Sequence, residues 1–129
     1  MAQSVKDELL ALNQRLLDSI AAGDWQTYEE LCDPTLSAIE PEGRGHMIEG
    51  LDFHRFYFEL GPSKGPRNTT MSSPHVRLMG DVAVVSYVRL VQSLDESGSP
   101  RTSHVEETRI WQLQQGKWQH VHFHRSPCP

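Results

Sequence analysis

The sequence predicts an α+β fold, a curled antiparallel sheet wrapped around a long amphipathic N-terminal helix. Three observations predict it. Val5, Leu9, Leu12, Leu16 and Ile20 recur at spacings of three and four, with Leu10 and Leu17 as a second stripe; this is one helix over roughly 4–22 with a wide apolar arc. After Arg67 the apolar period changes to two, the period of half-buried strands. The helical patterns precede the long strands, and that order belongs to the α+β class. A sheet that curls onto a helix leaves a conical mouth, a usual place for a ligand.

The elements follow in order. Gly23 stops the first helix and Asp24 caps the next turn. Trp25, Tyr28 and Leu31 make a short second helix, ended by Asp33-Pro34 because the residue before a proline avoids helical backbone. Thr35–Glu40 predicts a short strand and Pro41–Gly45 a turn. Leu51–Leu60 predicts a helix with Phe53, Phe56, Tyr57 and Leu60 on one face, and Gly61–Arg67 a loop. Val76 and Leu78 close a strand that Pro74 marks as edge or bulged. Gly80-Asp81 is a hairpin turn, and Val82–Gln92, Arg101–Leu113 and Lys117–Arg125 are the long strands. In the last hairpin a three-residue loop, Gln114-Gln115-Gly116, puts glycine where left-handed backbone is needed and pairs odd positions with odd. That register places Val105, Trp111, Leu113, Val121 and Phe123 on the core face. His104, Glu106, Thr108, Trp118, His120, His122 and His124 fall mostly on the other.

The 129 residues are the size of one domain, 1–129, long enough to build a core without disulfides. Cys32 and Cys128 make no framework and read as free thiols in a reducing, cytoplasmic compartment. No apolar run approaches ~18 residues and no secretory h-region opens the chain, so the sequence predicts a soluble, intracellular protein. A net charge of −5 gives no electrostatic footprint for nucleic acid. Protonating all seven histidines would carry that charge to +2, which bears on any assembly.

The same parity puts Glu107, Arg109 and Arg125 on the core face, and Arg89 shares parity with Val85, Tyr87 and Val91. A guanidinium stays charged, so its burial demands an anion. One reading is a pocket that takes a carboxylate or phosphate through forked hydrogen bonds. The other is an internal ion pair with Glu107, or arginine stems lying on apolar surface with their heads in water. Asp52 and His54 offer an acid/base pair, although residues two apart on a helix do not face each other. His120, His122 and His124 could chelate zinc with Glu106 or His104 as a further ligand. The aromatic face of the 51–60 helix is either core or a subunit interface. A Gly-rich phosphate loop, a Ser/His/Asp signature and kinase motifs are all absent from the sequence.

Several runs carry a resemblance. They are Ala22–Leu31 with Cys32-Asp33-Pro34, Glu40-Pro41-Glu42, Glu49-Gly50-Leu51-Asp52-Phe53-His54-Arg55-Phe56-Tyr57-Phe58-Glu59, and Pro74–Asp81. Pro100-Arg101-Thr102, Glu106–Trp111, Gly116-Lys117-Trp118-Gln119 and Val121-His122-Phe123-His124-Arg125-Ser126 continue it. In order and spacing they resemble the association (hub) domain of calcium/calmodulin-dependent protein kinase type II. The resemblance implies a cone-shaped, nuclear-transport-factor-two-like (cystatin-like) α+β fold. It implies a non-catalytic module that assembles with itself into two stacked rings of dodecamer or tetradecamer size, gathering kinase domains and needing no cofactor. It also implies a positive pocket for acidic peptide groups or small carboxylates, made by His54, Arg89, Arg109 and Arg125, with Glu107 and Tyr87 beside them. The alternative is a small enzyme of the same cone fold, an isomerase or dehydratase, using His54 with Asp52 or Glu107. The loop Gly61–Asn68 is shorter than is usual in that family, and Arg77 and His120 stand where other residues are usual.

Overall fold

The computed structural model describes residues 2–127, so Cys128 lies outside the described residues. Helix α1 spans Ala2–Ala22 and α2 spans Trp25–Leu31. Strand β1 (Cys32–Ile39) leads through a single 3-10 turn, Pro41–Gly43, to the short β2 (Ile48–Glu49) and helix α3 (Asp52–Glu59). Four long strands follow: β3 (Asn68–Met79), β4 (Val82–Leu94), β5 (Pro100–Gln114) and β6 (Lys117–Arg125). They form one six-stranded sheet in the order β2-β1-β6-β5-β4-β3. All neighbours are antiparallel except β1 and β6, which run parallel.

Leu9, Leu16 and Leu17 of α1 are fully buried against the sheet, with Leu36, Ala38, Ala83, Val85 and Trp111 beneath them. Each such leucine contributes roughly 1.5–3 kcal/mol by leaving water. Asn13 sits in the same stripe, fully buried, because its Oδ1 accepts the Trp111 indole N–H at 3.1 Å. That bond fixes how the helix sits on the sheet. Gly23 ends α1 with φ 68°, and a Cβ there would lie 2.9 Å from the backbone nitrogen of Pro62. The segment after α3 therefore closes directly onto the turn between the first two helices. Asp24 caps α2 as predicted, its side chain accepting from the Thr27 backbone N–H.

Pro74 carries the meaning assigned to it. β3 is an edge strand, and its register shifts between Ser72 and His75, where Ser73 has φ 52°. One expectation needs correction. The β5–β6 hairpin has a two-residue loop, not three: Gln114 pairs with Lys117, and Gln115 and Gly116 both take positive φ, the backbone that twist-matched two-residue hairpins require. Pairing near the turn is thus odd with even, Trp111 with His120 and Leu113 with Trp118. A bulge at Val121 then restores the predicted odd-with-odd parity, with Arg109 opposite Phe123 and Glu107 opposite Arg125. Trp118 and His120 consequently lie in the core, opposite to the expected face.

On α3 the sequence left the aromatic face open between core and subunit interface, and the structure takes most of it out of the core. Its buried side chain is His54, with Phe58 half-buried one turn later against Tyr28 and Trp25. The stripe Phe56, Tyr57 and Leu60 stands 60%, 43% and 71% exposed. The helix turns this way because His54 has a buried acid to reach, and an aromatic ring does not.

Candidate functional site

The sheet's concave face, α2 and α3 enclose a cavity of about 250 Å3. Ile20, Tyr28, Tyr57, Phe58 and Phe123 give it apolar walls, and Arg89, Arg109, Arg125, His54, Glu40 and Glu42 give it charge. The register explains the charged set. Val85 pairs with Arg109, Tyr87 with Glu107 and Arg89 with Val105, all pointing to the concave side of adjacent strands. Beyond the bulge, Phe123 and Arg125 continue that face on β6.

Glu107 is the hub of the first network. It is 2% exposed. Its Oε1 accepts the Tyr87 hydroxyl at 2.5 Å and Arg109 Nη2 at 3.1 Å, and its Oε2 accepts Arg89 Nη1 at 2.9 Å. Burial pushes the Glu107 carboxyl up, but Arg109, Arg89 and the Tyr87 bond outweigh it and bring the pKa down to about 2. Burial works against the Arg109 charge, yet Glu107 raises its pKa above the ordinary arginine value. The guanidinium also stacks 4.3 Å from the Phe123 ring centroid. Of the two readings of the buried arginines, the ion pair with Glu107 holds for Arg89 and Arg109.

The second network is built on Glu40. The alternation Leu36, Ala38, Glu40 carries this carboxylate inward from β1. Its Oε2 accepts from His54 Nε2 at 2.5 Å and its Oε1 from Arg125 Nη2 at 3.2 Å. Burial raises the Glu40 pKa, the His54 and Arg125 bonds lower it, and the net effect is a lowering. The same Arg125 Nη2 also pairs with Glu42 on the 3-10 turn. His54 Nδ1 and Arg89 Nε are buried without a hydrogen-bond partner among the described residues.

A third chain of contacts runs through the core. Arginine only donates, so Arg109 Nη1 donates to His120 Nε2 at 3.4 Å; His120 Nδ1 then carries the proton and faces Cys32 Sγ at 3.4 Å. Burial and then the Arg109 charge hold the His120 pKa well below the usual histidine value. Burial pushes the Cys32 thiol up to about 12, so it remains a thiol, free and unreactive.

The cavity thus brings together His54, Arg89, Arg109 and Arg125, with Glu107 and Tyr87 directly behind them. It does not assemble the enzymatic alternatives. Asp52 is exposed in the first turn of α3, away from the His54 ring, whose partner is Glu40. Glu107, locked by two arginines and a tyrosine, is a poor base. The zinc reading fails for a local reason: the Val121 bulge sends His120 into the core, while His122 bonds Ser37 Oγ at 2.7 Å and His124 is exposed. Among the described residues no group of three or more His, Cys, Asp and Glu side chains is placed to hold a metal.

Two features went unread in the sequence. Glu40 and Glu42 neutralise the pocket, and the strand alternation from Leu36 already pointed Glu40 inward. The other is the far face of the sheet. Val82, Val84, Val88 and Leu90 of β4 are half-buried there, with Ile110 paired to Val84. β4 is therefore apolar on both faces, and the run Val82-Ala83-Val84-Val85 was the signal.

The family model of the calcium/calmodulin dependent protein kinase II association domain matches residues 5–129. The rabbit (Oryctolagus cuniculus) calcium/calmodulin-dependent protein kinase type II subunit delta is 49% identical over 96% of this chain. The match covers 24% of that protein's length. Among solved structures, the association domain of C. elegans CaMKII superposes with a TM-score of 0.92 at 44% identity, covering 97% of each chain. The Chlamydamonas reinhardtii CamKII hub homology domain gives 0.89 at 50% identity, covering 95% of this chain and 97% of that one. A nuclear transport factor 2-like protein from Salmonella enterica shares the fold, with a TM-score of 0.78 at 22% identity over 98% of this chain and 92% of that one.

Proposed function

The chain belongs to the calcium/calmodulin dependent protein kinase II association-domain family, and from that premise we propose that it is an assembly module. It is an association domain and not a kinase domain. In the proposal the whole chain, 1–129, acts as one unit that binds copies of itself into a closed homo-oligomer. Two stacked rings of dodecamer or tetradecamer size are the expected form, without catalysis of the module's own and in the cytoplasm. No helix of the described residues is long and apolar enough to cross a membrane. Where such a module is part of a longer protein, the ring gathers whatever the rest of that protein carries, a kinase domain in the case of the relatives.

The observation that carries the reading is the second apolar face of β4. A strand apolar on both sides is the pattern of a sheet covered on both sides, and the chain's own helices cover only one. A second copy supplies the other cover, and the exposed Phe56, Tyr57 and Leu60 of α3 supply a contact for a lateral neighbour. Closed symmetry then limits growth. Sedimentation velocity at tens of micromolar protein tests this. The wild type is expected to run as one large species, and Val88→Glu, which puts a charge in the covered face, is expected to release smaller ones. A wild-type monomer would contradict the proposal.

The cavity is the second part of the proposal: a site for a carboxylate, from an acidic side chain or a small molecule, with Arg125 and Arg89 meeting the head group and Ile20, Tyr57 and Phe58 the apolar remainder. Arg109, fully buried on Glu107, holds the others in place.

A further inference from the structure

Charge accounting within the cavity leads one step further. Three arginines line or back it, and three carboxylates, Glu107, Glu40 and Glu42, match them. Every guanidinium is thus already paired with a carboxylate, so an incoming anion must compete for an arginine that is taken. One of the three carboxylates must yield. Glu107 cannot, because it is held by Tyr87, Arg89 and Arg109 and its departure would strand Arg109 in the core. Glu40 cannot, because its other oxygen is bonded to buried His54.

Glu42 can. Its side chain is 39% exposed, and Arg125 is its ion-pair partner. It sits on a one-turn 3-10 helix that ends at Arg44 in left-handed backbone, followed by Gly45 with φ 91°. A rotamer change carries the carboxylate into water without breaking any backbone hydrogen bond of the turn, which is closed by Gly43 N–H to Glu40 O and Arg44 N–H to Pro41 O. We propose that Glu42 is a built-in competitor: its carboxylate occupies Arg125 at the cavity mouth, and an external carboxylate binds by displacing it. The site's affinity for anions is then set by the strength of the Glu42–Arg125 pair as much as by the arginines. This rests on the cavity being a carboxylate site.

Calorimetric titration of the assembled protein with propionate tests both levels. Glu42→Gln keeps the shape and removes the competing charge. It should tighten propionate binding about threefold or more, the order of magnitude of a partly exposed ion pair. In an Arg125→Gln background the same substitution should produce no gain. Equal affinity for wild type and Glu42→Gln overturns the competitor and leaves the carboxylate site standing. Weaker binding by Glu42→Gln also overturns it, since Glu42 would then be aiming Arg125 at the ligand. No propionate binding by either protein overturns the carboxylate site and the competitor together.

Discussion

Replacing Glu107 by Gln removes one negative charge from the centre of the fold and changes almost no volume. The carboxylate is 2% exposed, and Arg109 beside it 1%. Lowering the Glu107 pKa from 4.5 to about 2 corresponds to about 3 kcal/mol in favour of the charged form. Removing one partner of a buried pair independently costs on the order of 3–5 kcal/mol, because the other charge is left uncompensated. Both routes give a loss that is a large share of the roughly 5–15 kcal/mol that holds a domain of this kind together. The assay is urea unfolding followed by tryptophan fluorescence, at one fixed protein concentration because assembly couples to stability. The pH dependence gives the sharper check. The folded pKa lies below the unfolded one, so the unfolded chain binds the extra proton between about pH 4.5 and 2, and the contribution of Glu107 is lost across that window as pH falls. The gap between wild type and Glu107→Gln should therefore be full at pH 7 and close toward pH 2. A loss under about 1 kcal/mol at pH 7, or a gap that does not narrow in acid, would refute the buried-pair argument.

His120 should make a separate limb of the pH profile. Its folded pKa is depressed, so the unfolded chain takes up a proton near pH 6.5 that the folded one refuses, and stability falls as pH drops below that value. His120→Gln should lose up to ~1.4 kcal/mol per pH unit of that slope between pH 7 and 5, and identical slopes would contradict the assignment. Gly23→Ala should destabilise by more than about 1 kcal/mol, since it adds a 2.9 Å clash with Pro62 to left-handed backbone; a melting temperature equal to wild type would mean that the α1–α2 turn shifts freely. Neither change touches the cavity mouth, so carboxylate binding by the surviving folded protein should be unchanged in the alanine variant.

What was legible in the sequence and what was not divides along physical lines. The helix α1, the edge proline of β3, the Gly80 turn and the inward parity of Arg89, Arg109 and Arg125 are local or period-two signals, and they survive folding intact. The β5–β6 register is different. Two- and three-residue loops both suit Gln114-Gln115-Gly116, and a bulge at Val121 makes the two answers agree beyond it. Parity alone therefore placed Phe123 and Arg125 correctly and misplaced Trp118 and His120. The orientation of α3 was hidden for another reason. A stripe of four apolar residues is the stronger helical signal, and His54 wins only through Glu40, fourteen residues away just past the end of β1. The same long-range pair turned an arginine-lined pocket into a charge-matched one.

The central claim is assembly. The two-sided β4 and the outward aromatic stripe of α3 are the surfaces that the proposed assembly covers. Native mass spectrometry of the purified chain near neutral pH reads this directly. The account predicts a single large, even-numbered oligomer, consistent with two stacked rings. A spectrum dominated by monomer or a simple dimer would contradict it.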